Sequence, residues 1–206
     1  MKRLLLGRLL MISVLLAGVT TAGCLTAAQM ALEDRTTEDQ ATDAAIATGI
    51  LSRFADKDKG LLLDVSVDVQ EQRVMLTGTL DDPAMKKTVV ELVGTDRRVK
   101  KVYDEIQIVT KEEKARRREE AEKQKQESKE GAGQSVNDFW IATKIEAQLV
   151  GAGGVRSVNY RWRSVRNKVY IIGRAREAEE LNKVLDICRN TKGVESVKHF
   201  IEVRPK

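Results

Sequence analysis

Few side chains in this chain are equipped for covalent chemistry. Cys24 and Cys188 are its two thiols and His199 is its single imidazole. A nucleophile needs a base beside it and a third group to orient that base, and no spacing here supplies the set. No Gly-rich phosphate loop, HExxH or CxxC run occurs. Two cysteines build neither a disulfide framework nor a four-thiolate zinc site. His199 reads as a structural or surface histidine on a strand, and Cys188 as a small hydrophobe on the buried face of a helix. Asp81 and Asp82 read as a turn and a helix cap, not a catalytic pair. The expected chemistry is therefore binding, with no catalysis, cofactor, metal or small-molecule substrate. Its candidate residues are Trp140 and Lys144, with Phe139, Thr143 and Ala147 on the same outward helix surface. An indole beside an ammonium suits a membrane interface, the ring at headgroup depth and the charge near phosphate.

The elements that must position these residues occur twice. Val74-Met75-Leu76-Thr77-Gly78 matches Val169-Tyr170-Ile171-Ile172-Gly173 at an offset of 95. The same offset carries Val99, Val102 and Ile106 to Val194, Val197 and Ile201, and Ile46, Ile50 and Phe54 to Ile141, Ile145 and Leu149. Each unit reads helix, strand, strand, helix, strand. Ile46, Ile50 and Phe54 share a helical face, Val65, Val67 and Val69 alternate at strand period, and Asp82-Pro83 starts a second helix carrying Val89, Val90 and Val93. The spacing from Val65 to Val74, against Val158 to Val169, predicts hairpin turns of different length. Gly78 and Gly173, late in each second strand, predict a close approach by a covering helix. The fold class that follows is α+β, with each three-stranded mixed sheet covered by two helices on one face. A hydrophobic fraction of 42% suffices for two such cores, whereas 4% aromatics and two prolines argue against a large β-sandwich.

The repeat also serves as a control on the candidate surface. Trp140, Thr143, Lys144 and Ala147 correspond to Ala45, Thr48, Gly49 and Ser52, so the fold itself needs neither the indole nor the ammonium. The opposite sheet face of the second unit should show Arg161, Arg163, Tyr170, Ile172, Arg174, Lys198 and Phe200. Its expected use is packing against Met75, Thr77 and Tyr103 of the first unit. Charge is lopsided: residues 25–110 carry a net −5 and residues 136–206 a net +6. The basic second unit favours an anionic partner, and in an exported chain that is phospholipid headgroup before nucleic acid. Residues 111–134 have no large apolar side chain. Glu112–Arg116, Glu113–Arg117 and Glu119–Lys123 stand at i, i+4, which predicts a solvated spacer helix, then a hinge at Gly131-Ala132-Gly133.

The chain opens with Lys2, Arg3 and Arg8, an apolar run over residues 9–19, and small residues 20–23. That is the layout of a secretory signal peptide, too short for a membrane-spanning helix. Thr21-Ala22-Gly23-Cys24 resembles the lipobox of bacterial lipoproteins, with Thr21 where leucine is usual. The resemblance implies acylation at Cys24, and Leu25 behind it implies delivery to the outer membrane. The helix-strand-strand-helix-strand order with Gly78 and Gly173, and the opening Asn137-Asp138-Phe139-Trp140, are similar to the BON domain. Two copies behind a lipobox resemble the DolP-type dual-BON lipoproteins. The expected organisation is a signal peptide over 1–23, a lipidated tether over 24–38, BON-like domains over 39–110 and 136–206, and a charged helical linker over 111–135. The resemblance implies a periplasm-facing, non-catalytic lipoprotein that binds anionic phospholipid through the first helix of its second domain and supports envelope integrity. The alternative is an adaptor for envelope proteins such as outer-membrane assembly machinery, with Trp140 as the protein contact.

Overall fold

The computed structural model describes residues 33–127 and 138–205. Cys24, the signal-like segment and the glycine hinge lie outside them. The elements are α1 (Thr37–Lys57), α2 (Leu61–Asp64), β1 (Val65–Gln70), β2 (Arg73–Leu80), α3 (Pro83–Gly94), β3 (Lys101–Ile108), α4 (Lys111–Glu127), α5 (Asp138–Gly151), β4 (Tyr160–Val165), β5 (Lys168–Ala175), α6 (Ala178–Asn190) and β6 (Ser196–Val203). A single 3-10 turn, Ser157–Asn159, precedes β4. Each repeat forms one three-stranded sheet. The first strand pairs antiparallel with the second, and the second pairs parallel with the third.

Local chemistry explains the element ends. Thr36 caps α1, its hydroxyl accepting from the Asp39 amide at 3.0 Å. Asp82 caps α3 by accepting from Ala84 N at 2.8 Å, with Pro83 in the first turn where its missing N–H removes no bond. Ile46, Ile50 and Phe54 from α1 and Val89 and Val93 from α3 close over Val74, Leu76 and Ile106 of the sheet. Ile141, Ile145 and Leu149 do the same in the second repeat with Val184, Leu185 and Cys188. The second tryptophan, Trp162, seats α5 on β4 by donating from Nε1 to the Ala142 carbonyl at 3.1 Å.

The hairpins are equal in length. Val65 pairs with Gly78 and Tyr160 with Gly173, and both turns have two residues, Glu71-Gln72 and Arg166-Asn167. Val158 is not the counterpart of Val65: it sits in the 3-10 turn ahead of the strand, so valine spacing misplaces the strand start by two residues. The offset of 95 is constant through both hairpins.

The bare faces of the two sheets pack together. Met75 meets Val165, Tyr170 and Ile172, and Tyr103 stacks on Phe200 with ring centroids 3.9 Å apart. Around this apolar centre, Arg163 grips the buried Asp68 with two parallel bonds of 2.8 and 2.9 Å, and Lys198 pairs with Glu105 at 2.6 Å. Arg73 donates to the Phe200 and Gly173 carbonyls at 2.9 and 3.0 Å. At the far end, Gln107 donates to the Tyr170 hydroxyl at 3.0 Å. The hairpin tip of the first domain thus lies against the late part of β5 and β6, and that of the second against the late part of β3.

The linker helix α4 is more than a solvated spacer. Lys114 bridges Asp64 and Asp81 at 3.0 and 2.6 Å, and Arg118 binds Asp64 through two nitrogens. Arg117 joins Glu113 to Asp138, both at 3.2 Å, and Arg166 reaches back to Glu113. Its first turns strap the two domains together, which i, i+4 pairing within the helix could not reveal.

Candidate functional site

Helix α5 carries the proposed binding surface. Its inner side chains, Ile141, Ile145 and Leu149, are fully buried. Phe139 stands 49% exposed at its start, with Trp140 half-buried beside it and edge-on at 5.7 Å between centroids. Thr143 and Ala147 continue the exposed row, and Lys144 is half-buried at its border. Val150, 68% exposed, ends the same row. Phe139, Thr143, Ala147 and Val150 follow at i, i+4, i+8 and i+11, one face of a helix. Sequence reading had missed Val150; its counterpart Ala55 supplies the signal, because apolar bulk has been added at an outward position where the first repeat is small.

Basic charge on the second domain is used mostly inside the chain. Arg163, Arg174, Lys198 and Arg204 pair with acids of the first domain. Arg166 pairs with the linker, and Arg156, Arg161 and Arg176 with the segment ahead of α1. The first domain, with its flanking acids, thus pairs with much of the basic charge of the second. Lys144 is the basic side chain of the outward α5 row.

A carboxylate holds the tip of each hairpin. Asp43, on α1, accepts from the Glu71 and Gln72 amides, both at 2.7 Å. Asp138, 95 residues on, accepts from the Arg166 and Asn167 amides at 2.8 and 2.9 Å and from Ser164 Oγ at 2.7 Å. The four turn residues have φ of +51°, +65°, +54° and +61°, a left-handed turn built without glycine. Asp138 is the aspartate of the motif that opens the second repeat, so that residue fixes a turn, while its neighbour Phe139 faces outward.

The shared glycines make way for the chain entering the first strand, not for a helix covering the sheet. A Cβ on Gly78, whose φ is +131°, would lie 2.0 Å from the Asp64 carbonyl oxygen. One on Gly173 would lie 2.5 Å from the Tyr160 ring and 2.6 Å from the Asn159 carbonyl oxygen. The close neighbour is the chain running into the first strand of each sheet, which corrects the expected covering helix.

Three residues ahead of α1 clasp both domains. Asp34, its carboxylate 1% exposed, receives two bonds from Arg176 at 2.8 and 2.7 Å and one from the Asn159 amide at 2.8 Å. Arg161 binds Glu33 at 2.8 Å, and Arg35 pairs with Asp43. The Arg176 hydrogen bonds, helped by Asn159 and the nearby Arg156 charge, pull the Asp34 carboxyl down to about 2. A depressed folded value stabilises the clasp above the ordinary aspartate value of 3.8, and that stabilisation is lost as pH falls toward about 2. Asp34→Asn should accordingly flatten the fall in melting temperature between pH 4 and pH 2; an unchanged pH profile would mean that other carboxylates carry the acid sensitivity.

Cys188 is buried in the second core, and burial pushes its thiol up to about 12, so it packs rather than reacts at neutral pH. His199 lies on β6, its pKa lowered first by desolvation and then by the Arg189 charge. Among the described residues, no cluster of metal-ligating side chains occurs, and no helix is long and apolar enough to cross a membrane.

The BON-domain profile matches residues 42–110 and 137–205. An uncharacterised protein of Anaplasma centrale, encoded in the gshII 5′ region, is 31% identical over 145 residues, covering 70% of this chain and 85% of that protein. Two solved structures of CdsD, a structural protein of the Chlamydia trachomatis type III secretion system, align at 12% identity with TM-scores of 0.33 and 0.32. They cover 75% of this chain and 93% and 98% of theirs. The two profile matches span both repeats with their helix-strand-strand-helix-strand order, and the chain belongs to the BON-domain family as a tandem pair.

Proposed function

We propose that this protein is an outer-membrane lipoprotein of the DolP type, exported by its N-terminal segment, acylated at Cys24 and facing the periplasm. It binds anionic phospholipid through α5 and supports envelope integrity without catalysis. The observation that carries the reading is the outward row Phe139, Thr143, Ala147 and Val150, with Trp140 and Lys144 at its edge, on a helix whose other side is fully buried. Aromatic and aliphatic side chains at the surface, beside an ammonium, match the bilayer interface in chemistry and depth. Because most arginines of the second domain are already paired within the chain, apolar insertion supplies most of the affinity. Lys144 adds about 1 kcal/mol on an anionic surface, a preference of roughly fivefold.

Vesicle flotation tests this. The protein should float with anionic vesicles and less well with zwitterionic ones. Replacing Phe139 with Ser and Trp140 with Ala should remove most binding, since each buried aromatic is worth about 1.5–3 kcal/mol. Retained flotation of that double variant would reject the α5 surface. A second reading, an adaptor for envelope proteins, is favoured by Leu62 and Leu63 of the first domain, 43% and 74% exposed. It would be preferred if the wild-type protein ignored vesicles of either composition.

A further inference from the structure

We propose that the second domain contains a recognition site for an acidic peptide, specifically a Glu-Asp pair, and that Glu33-Asp34 of this chain occupies it in cis. The site is made by Arg156, Asn159, Arg161 and Arg176. Asn159 reads two features of one residue at once: its Oδ1 accepts from the Asp34 amide at 2.9 Å while its Nδ2 donates to the Asp34 carboxylate at 2.8 Å. Arg176 closes on the same carboxylate with two bonds, Arg156 stands 3.6 Å from it, and Arg161 takes the preceding glutamate. A phosphate or lipid headgroup would satisfy the arginines but offers no peptide N–H for Asn159. The ligand that fits every donor and acceptor is therefore a peptide.

The backbone that carries Arg156 and Arg176 is held in place independently of their ligand. Glu180, 3% exposed, accepts from the Arg156 amide at 2.9 Å and the Arg176 amide at 2.8 Å, fixing the backbone on both sides of the site. The repeat shows that the location belongs to the fold. Asn159 and Arg176 correspond to Asp64 and Asp81, and those two hold Lys114 of the linker at 3.0 and 2.6 Å. In both domains the residue ahead of the first strand and the residue after the second lie side by side, because the hairpin aligns the start of one with the end of the other. Each domain so offers a socket for a charged side chain from a flanking segment, acidic in the first domain and basic in the second. The inference stands apart from lipid binding, since none of its four residues lies on α5.

A synthetic peptide of residues 30–38, titrated by calorimetry into the full-length chain, decides the matter. The variant Glu33→Ala with Asp34→Ala vacates the site and should bind the peptide. Wild type should bind at least tenfold more weakly, because its own segment competes at an effective concentration on the order of millimolar. Adding Arg176→Gln to the vacated variant should abolish binding, and a peptide with Gln-Asn in place of Glu-Asp should not bind. Circular dichroism checks the fold of each variant. If the double variant is unfolded, Asp34→Asn alone vacates the charge with no change of shape and takes its place. Absence of binding to a folded vacated variant, equal binding to wild type, or equal binding of the neutral peptide would each overturn the proposal.

Discussion

Asp43→Ala is expected to destabilise the first domain by about 3–5 kcal/mol, the range for breaking a buried charged pair by removing one partner. The carboxylate is 4% exposed and serves three donors: the Glu71 and Gln72 amides and the Arg35 guanidinium. Those two amides belong to residues with φ of +51° and +65°, a conformation that disfavours L side chains by about 1–2 kcal/mol each. Asp43 offsets that strain, so its loss releases the turn as well as the arginine. Gln72→Gly in the Asp43→Ala background should recover part of the loss, because glycine adopts positive φ without the Cβ penalty. Asp138→Ala, at the same position of the second domain, should cost less, about 1.5–3 kcal/mol, since its side chain is 27% exposed and water can replace it. Thermal denaturation followed by circular dichroism measures all three. Equal melting of Asp43→Ala and wild type would show that the turn holds itself.

The duplication, the element order and the buried helix faces were legible because they rest on period: Ile46, Ile50 and Phe54 fall on one face whatever surrounds them. The two bare sheet faces were legible for the same reason, since Met75 and Tyr103 alternate away from Val74 and Val102 and can only be covered by another apolar surface. What escaped depends on relations between distant segments. Valine spacing placed the second hairpin two residues early, because Tyr160, not a valine, fills the core position opposite Gly173. The charge asymmetry was visible, but its destination was not: Arg163 and Asp68 stand 95 residues apart, and no local pattern joins them. Glu33-Asp34 looked like part of a plain tether, since a Glu-Asp pair acquires meaning only when Asn159 and Arg176 are brought to it. The glycines at 78 and 173 were recognised as close approaches, and only the identity of the neighbour was wrong.

Gly78→Ala should lower stability more than Gly173→Ala, although both glycines hold the same place in the repeat. At Gly78 the obstacle is the Asp64 carbonyl oxygen, 2.0 Å from the added carbon, with Asp64 C and Val65 Cα at 3.0 and 3.1 Å. All three are backbone, tied into the α2–β1 junction, so no side chain can swing aside. The φ of +131° adds a conformational penalty of about 1–3 kcal/mol on top of about 1–3 kcal/mol for overpacking. At Gly173 the added carbon would meet the buried Tyr160 ring at 2.5 Å and the Asn159 carbonyl oxygen at 2.6 Å, but no positive φ adds to the clash. Its cost should therefore stay near the overpacking range alone. The second change has its own signature, because Gly173 O accepts from Arg73 across the domain interface and Asn159 holds the clasp. Gly173→Ala should loosen the two domains, read as faster amide exchange at Asp34, while Gly78→Ala should melt the first domain and leave that amide's bond to Asn159 in place until it does. If the two variants lose equal stability and neither changes exchange at Asp34, positive φ at Gly78 and the contact at Gly173 do not divide the work as the distances indicate.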